Sequence, residues 1–450
     1  MANIIFWSSI FPKQFTRPIA CYQLAHHLRK NNLSAQVIDF TGLFSTKELI
    51  EITEKFIEKE TMALGIATGF WPDNHVYLKD AITAFKDKYP NIQIFFGGPR
   101  ANNPLYKKYY DMVFLGESEN SLTDWLYEKL EKDKSYITPF NITKLDHRFT
   151  KQDCILNNEV LPIELGRGCI FKCKFCSHSN LGKPKYTYQR NFKLVEEEIR
   201  YNYDNFNTTN YLFLDDTVNE DLDKVKALAD INKKMNWVIN WNGYLRADLI
   251  WSMKDSANYL LDSGLKSCFF GIESFHKQAS QVIGKGWSGK HAKEFLPNLY
   301  FNHWHKEISI WNNFIIGLPY ETEYDIDQSV KWCIENNFGM NKFVGLNLYN
   351  YREDSGPKSE FTVNYKSYGY TINETGFYND NWDSNKIYRK VEEVNKLIEP
   401  YNKLTSWSLF DAVNITKKDI NFLKQQPVDY ISISDLFNFK NEYKTKLLEL

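Results

Sequence analysis

At 450 residues, and with about 150 residues per domain as a guide, the chain has room for two or three domains and a sizeable core. Its 55 Lys and Arg nearly cancel its 56 Asp and Glu, for a formal charge of −1, which argues against a polyanion binder that works by neutralising phosphates. A hydrophobic share of 43% with 16% aromatics excludes the intrinsically disordered class, and no run reaches the ~18 to 20 apolar residues of a membrane helix.

Seven cysteines are too few for a disulfide scaffold and point to a reducing, cytoplasmic compartment. The apolar start Met1–Pro12 has no basic segment before it and reads as a strand, not a signal peptide.

In chain order, Asn3–Ser8, Ala35–Asp39, Met62–Ala67, Gln93–Gly97 and Met112–Leu115 read as apolar strands, with helical spacings such as Cys21, Leu24 and Leu28 between them. This is a parallel, doubly wound α/β layout, which binds ligands beyond the carboxyl ends of its strands. Those ends carry Ala67-Thr68-Gly69, Gly97-Gly98-Pro99 and Gly116-Glu117-Ser118-Glu119; the plain structural reading of Gly-Gly-Pro is a tight turn. From 132 to 158 the pattern fades into a polar linker.

Strands resume at Val160–Glu164, Tyr211–Asp215, Trp237–Asn242, Lys266–Glu273, Ile308–Gly317 and Phe343–Leu348, alternating with helical stretches near Leu194–Tyr203, Leu222–Lys234, Met253–Ser263, His291–Phe301 and Asp325–Asn336. Six such units predict a barrel or part of one, with its chemistry at the C-terminal strand ends. The division that follows is 1–131, 132–158, 159–348 and a C-terminal extension 349–450. That extension is rich in Tyr, reads as mostly helical near Asn385–Leu397 and Lys417–Gln425, and is a candidate cover for a substrate site.

The segment Leu165-Gly-Arg167-Gly-Cys169-Ile-Phe-Lys-Cys173-Lys-Phe175-Cys176 places three thiols on one loop directly after a strand. Three thiolates suit three irons of a [4Fe-4S] cube and leave the fourth iron open to a ligand, whereas a structural zinc site wants four closed ligands. Cys21, Cys154, Cys268 and Cys333 lie in apolar or mixed contexts and read as buried thiols.

Cys-x3-Cys-x2-Cys with an aromatic residue before the third cysteine resembles the radical S-adenosylmethionine (radical SAM) superfamily. Phe213-Leu-Asp215-Asp216, Gly243-Tyr-Leu-Arg246-Ala-Asp248, Gly271-Ile-Glu273-Ser274 and Ile316-Gly317-Leu-Pro319-Tyr-Glu321 follow in register. With the glycine-containing strand ends, they resemble the subgroup carrying an N-terminal cobalamin-binding-type domain. The resemblance spans roughly residues 1 to 350.

It implies a Rossmann-like sheet ahead of a partial (β/α)6 barrel, with Cys169, Cys173 and Cys176 as cluster ligands and catalytic centre. It implies contacts to S-adenosylmethionine from Phe175, Asp215, Asp216, Arg246, Glu273, Ser274, Gly317 and Pro319. One of Asp215 and Asp216 is also a candidate cap for the following helix; these two stand where many relatives carry a Gly-Gly-Glu-type segment. Arg246 has a competing reading as the surface partner of Asp248, and Arg167 as a structural partner of the cluster loop. His178, His303 and His305 read as structural histidines.

If the first domain binds cobalamin, Thr68, Gly69, Gly97, Gly98, Pro99, Gly116 and Glu117 are the positions that face it. The Asp-x-His-x-x-Gly loop that supplies an imidazole to cobalt in some relatives is replaced here by Phe11-Pro-Lys-Gln-Phe-Thr-Arg-Pro18, so a protein imidazole on cobalt is not expected. Two reactions stay open: methyl transfer to an unactivated carbon or phosphorus centre, or a cobalamin-independent rearrangement or cyclisation over a vestigial domain. An iron–sulfur binding or sensing module is the non-enzymatic alternative. The enzyme reading implies a small-molecule or peptide substrate and a low-potential donor such as flavodoxin or ferredoxin, with no role for a membrane or nucleic acid.

Overall fold

The computed structural model describes residues 2–8, 17–67, 78–98, 101–102, 104–177, 188–285, 287–346, 348, 358–373, 376–402 and 433–450. Thr68, Gly69, Pro99, His178, Tyr349, Tyr351 and the stretch 417–425 lie outside them.

The first five strands, β1 (Ile4–Trp7), β2 (Ala35–Ile38), β3 (Ala63–Ala67), β4 (Gln93–Gly97) and β5 (Met112–Phe114), form one parallel sheet in the order β2-β1-β3-β4-β5. Their residues are buried almost without alternation from β1 to β4, as a sheet covered on both faces requires. Gly65 sits in the middle of β3 because Phe6 and Phe95 meet edge to face across it, 6.1 Å between centroids; a Cβ there would collide with the Phe95 ring. The strand order reverses between β1 and β3, so the ligand crevice of this sheet lies beyond those two ends. The connections that follow them, 9–16 and 68–77, are outside the described residues.

The second sheet runs β6 (Leu161–Ile163), β7 (Asn210–Phe213), β8 (Asn240–Leu245), β9 (Leu265–Glu273), β10 (Ser309–Ile316) and β11 (Met340–Gly345), each strand parallel to its sequence neighbour. Sequential parallel order with helices in the connections is the partial barrel that the strand–helix alternation predicts. Alternate residues separate into two clusters. Tyr211, Phe213, Trp241, Cys268, Phe270, Phe314 and Phe343 pack with the helices, whereas Leu212 and Trp311, with Leu214, Tyr244, Phe269 and Met340, pack together on the opposite, concave face.

Of the helix expected over Met253–Ser263 only Ser256–Asp262 is helical, starting after Asp255 at φ +65°, and a separate short helix, Ala247–Ser252, precedes it. The helix after β10 extends Glu323–Asn336, with Thr322 and Asp325 forming a reciprocal cap.

The C-terminal extension follows both sheets. Ser384–Ile398 packs on the last barrel strands, after a short hairpin, β12 (Thr371–Asn373) and β13 (Gly376–Tyr378). Helix Ile433–Glu449 returns to the first sheet, where Tyr443 and Leu447 join its core. There the Tyr443 hydroxyl accepts from the Asp39 N–H at 2.8 Å, and its ring lies 4.9 Å from the Arg17 guanidinium. Arg17 is 1% exposed and bidentate to Glu159 at 2.5 and 2.9 Å. That pair ties the first sheet to the segment leading into β6, and the charges are matched as burial demands. Among the described residues no helix is long and apolar enough to cross a membrane.

Candidate active site

The Cys169–Cys176 loop starts at the C-terminal end of β6, where barrel chemistry sits. Its first residues are held from two sides. The Leu165 N–H donates to Asp215 Oδ2 at 2.8 Å, and Gly166 bridges Gln189 in antiparallel fashion. Gly168 turns the chain at φ +79°, and the Cys176 N–H closes on the Cys173 carbonyl at 3.1 Å. On the far side the Lys174 N–H bonds the Ile283 carbonyl, and the Lys174 carbonyl accepts from Phe361 at 2.9 Å.

The three loop thiols are half-buried, whereas Cys21, Cys154, Cys268 and Cys333 are buried, and none of the seven is in a disulfide. The burial of those four is as expected from sequence. Burial, the largest influence, pushes the thiols of Cys21 and Cys154 up to about 12 and about 11, so the bystander cysteines stay protonated and inert.

Arg246 is 7% exposed at the end of β8. It grips Asp248 through two bonds of 3.1 and 2.6 Å, so the pair is real but buried, not on the surface. Its third nitrogen, Nη1, reaches Cys173 Sγ at 3.4 Å, and the guanidinium lies 4.1 Å from the Phe171 ring centroid. Asn219 fixes the Arg246 backbone through both its amide atoms, at 2.8 and 2.9 Å. Sequence reasoning missed Asn219, Phe171 and Thr217, whose hydroxyl is 3.7 Å from Cys169 Sγ; no spacing pattern singles them out.

Glu273 closes β9 in the left-handed region, φ +67°. Its side chain folds back over Gly271, where any Cβ would collide with Oε1. Lys285 Nζ is 3.4 Å from that oxygen. The other oxygen, Oε2, is buried without a hydrogen bond among the described residues. A buried carboxylate oxygen with no donor is costly, and a ligand ammonium or hydroxyl is the group that would relieve it.

Ser274 follows, with its hydroxyl already committed: it donates to Glu321 at 2.5 Å and accepts from the His276 N–H at 2.9 Å. Glu321 is 1% exposed, and burial pushes its carboxyl up to about 8, against the opposing Ser274 bond. Its folded value lies above the ordinary 4.5, so the stability it lends is complete below that ordinary value and lost as pH rises through about 8. Thermal unfolding from pH 6 to 9 should therefore show a steeper loss for the native protein than for Glu321→Gln, which stays neutral; parallel curves would show that Glu321 is ionised throughout.

Asp215 is buried against Lys224, 2.6 Å from Nζ. Neither it nor Asp216 caps the next helix: Asp221 does, accepting from the Asp223 N–H at 2.8 Å. Asp221 directly precedes the first helical turn, and a capping side chain must sit there. Asp216 stands at the mouth beyond β7, beside Thr217. Phe175 is half-buried on the core under the loop. The Gly317 carbonyl accepts from the Tyr370 hydroxyl at 2.6 Å, and Pro319 is buried one turn further on. Tyr370 is thus core, packed on Phe361 and Phe377. His303 closes the helical turn Leu299–His303 and His305 lies in the turn that leads to β10, both remote in sequence from the loop.

Arg167 joins the two sheets. It binds Glu164 at 3.0 Å, Glu119 at 2.6 Å and Gln23 Oε1 at 2.9 Å, stacked on Phe140 at 4.6 Å. Glu119 and Gln23 belong to the first domain, and Glu119 stands three residues after Gly116. Arg167 thus links the start of the cluster loop to the helices Ile19–Lys30 and Glu119–Lys129 beside the first sheet. On that edge Gly98 and Gly116 take φ +107° and +72°. A side chain at Gly116 would meet nothing within 4 Å, and one at Gly97 only the Phe114 carbonyl at 3.8 Å. Glu117 follows Gly116 on the same rim.

Residues 163–333 match the family model described as the radical SAM superfamily. Among curated proteins, an uncharacterized methyltransferase of Pyrococcus horikoshii is 28% identical over 172 residues, 37% of this chain and 35% of that protein. The bacteriochlorophyllide d C-8(2)-methyltransferase of Chlorobaculum tepidum is 22% identical over 270 residues, 55% of this chain and 58% of that protein. The matches thus span from about a third to somewhat over half of those relatives.

Among solved structures, the radical S-adenosylmethionine methyltransferase TsrM of Kitasatospora setae, with cobalamin and a [4Fe-4S] cluster bound, superposes at TM-score 0.59 and 12% identity, over 77% of this chain and 75% of that one. OxsB, a cobalamin-dependent S-adenosylmethionine radical enzyme, does so at TM-score 0.58 and 13% identity, over 100% of this chain and 72% of that one. Both carry the fold found here, with the three-cysteine loop at the first barrel strand of this chain. The likeness to the radical SAM superfamily is thus carried by residues 163–333, and a doubly wound sheet precedes the barrel.

Proposed function

We propose that the chain is a cobalamin-dependent radical SAM methyltransferase acting on an unactivated carbon or phosphorus centre. The observation that carries the reading is one constellation: three half-buried thiols on the β6 loop, the Arg246 cation 3.4 Å from one of them, and the unmet Glu273 oxygen at the end of β9.

The donor set fits a [4Fe-4S] cluster. Among the described residues no three His, Cys, Asp or Glu side chains converge on a single ion, whereas a cube takes one thiolate per iron. Cys169, Cys173 and Cys176 would hold three irons and leave the fourth for S-adenosylmethionine; when bound, such a cluster would supply the electron for reductive cleavage of S-adenosylmethionine.

Glu273 Oε2 accepts from an ammonium or hydroxyl of the bound S-adenosylmethionine. Arg246 offers its Nη1 proton to sulfur, and its Asp248 partner keeps the pair near neutrality. Asp216 and Phe175 flank the loop, and Gly317 and Pro319 shape the turn that closes the adenine end. Asp215 and Ser274 act by holding backbone.

The space at Gly116, on the rim shared with Gly97, Gly98 and Glu117, supports a broad flat ligand such as a corrin. The loop after β1 offers no histidine to its metal, since residues 11–18 contain none. The electron source is a low-potential donor such as flavodoxin or ferredoxin, in a reducing, cytoplasmic compartment.

Anaerobic reconstitution, followed by reduction with S-adenosylmethionine present, is expected to yield 5′-deoxyadenosine; its complete absence would overturn the radical reading. Incubation with hydroxocobalamin and desalting is expected to leave a corrin spectrum on the protein. Loss of that spectrum would overturn the methyl-transfer part and leave a cobalamin-independent rearrangement in its place.

A further inference from the structure

The concave face of the barrel is built in rows set by the strand register. Tyr244, Phe269, Trp311 and Met340 are register partners across β8 to β11. Their rings meet at 5.2 Å between Tyr244 and Phe269 and 5.6 Å between Phe269 and Trp311. This row is an apolar floor. Trp311 is 5% exposed, and its indole N–H has no acceptor among the described residues.

Two residues further along each strand, on the same face, comes a second row toward the mouth: Gly271, Asn313 and Lys342, again register partners. Gly271 leaves its place to the Glu273 carboxylate. Asn312 and Phe343, the neighbours of the other two, are buried on the helix side, which leaves Asn313 and Lys342 on the concave side. Both are half-buried, and neither side chain makes a hydrogen bond or ion pair among the described residues.

An unpaired lysine over an aromatic floor is an unusual choice for a strand interior. A half-buried ammonium without a counter-ion is unfavourable, and β-propensity argues against lysine there. At about 4.8 Å per strand, two strands put Lys342 about 10 Å from the Glu273 position.

We propose that this row reads the substrate: a flat apolar or aromatic body rests on the Phe269–Trp311 floor, an anionic group, a carboxylate above all, pairs with Lys342, and Asn313 hydrogen-bonds between them. The assignment rests on the reading of the barrel mouth as the reaction site, and it names the substrate class that reading leaves open.

The test uses the full, reconstituted chain and aromatic acids paired with their neutral amides, 2-naphthoate with 2-naphthamide and biphenyl-4-carboxylate with its amide, followed by saturation-transfer NMR titration. The native protein is expected to bind each acid at least about tenfold more tightly than its amide, as one charge-assisted contact allows. Lys342→Met should erase that preference while leaving amide binding unchanged and thermal unfolding no lower, since a half-buried ammonium is removed, and Lys342→Arg should restore it. Equal binding of acid and amide by the native protein, or an unchanged preference in Lys342→Met, overturns the assignment. Formation of 5′-deoxyadenosine is measured on the same samples. Its absence with the acid preference intact defeats the radical reading alone; its presence without the preference defeats the substrate assignment alone.

Discussion

Replacing Cys173 by alanine is expected to remove the cluster and with it all cleavage of S-adenosylmethionine. The thiol sits at the centre of the loop, backed by Arg246 Nη1 at 3.4 Å, and its loop is tied on both sides by backbone bonds from Cys176 and to Ile283 through Lys174. The loop fold therefore does not depend on the sulfur, while the iron does. The iron–thiolate absorption near ~400 nm should vanish after reconstitution, since a ligand is lost, and 5′-deoxyadenosine should fall to background. Thermal unfolding of the unreconstituted protein should barely change. Cys268→Ala supplies the contrast: that thiol is buried in the helix-side core, so its loss should lower stability by about 1 kcal/mol and leave the cluster spectrum intact. A Cys173→Ala protein that keeps the full spectrum would mean that the irons are held elsewhere.

The parts of this architecture that were legible in the sequence are those whose burial is uniform. Gln93–Gly97 and Leu222–Lys234 are found with the boundaries expected, because a strand with a buried apolar centre and a one-sided helix each carry one clear period. β8 and β11 are displaced by three residues from their expected starts at Trp237 and Phe343, and the cause lies in single side chains. Trp237 reads as strand but stacks on Tyr203, 3.7 Å between centroids, outside the sheet. β11 begins Met340-Asn-Lys because its inward residues face the barrel mouth, so its polar opening hides the strand. Half-buried Lys342 interrupts the apolar run that would otherwise mark the strand.

The cysteine loop was visible because its ligands are local. Its supports were not: Asn219, Thr217, Lys224, Lys285 and Glu119 reach the loop or its neighbours from separate elements, and only the folded register brings them together. The terminal helix Ile433–Glu449 was hidden for a similar reason. Its buried Tyr443 and Leu447 find their partners some 400 residues earlier, as in the Tyr443 to Asp39 contact, and no window of sequence contains both.

Asp215→Ala is expected to destabilise the protein by about 3 kcal/mol, the low end of the cost of removing one partner from a buried ion pair, because a second carboxylate stays beside the ammonium. Asp215 is 4% exposed and Lys224 2%, at 2.6 Å, and Glu220 at 3.0 Å would remain the ammonium's one carboxylate. The Leu165 N–H at the head of the cluster loop would lose its acceptor as well. Asp221→Ala, which removes only a helix cap, should cost about 1 kcal/mol, so denaturant titration of the two variants separates a loop anchor from an ordinary cap. Asp215→Asn sharpens the distinction, because an amide oxygen still accepts from Leu165 while the charge is gone. If Asp215 holds the loop, the asparagine variant falls between the native protein and Asp215→Ala in both stability and retained iron. If the carboxylate instead touches S-adenosylmethionine directly, Asp215→Asn would keep its iron and its stability and lose only cofactor affinity, and the buried pair with Lys224 would then not be its main role.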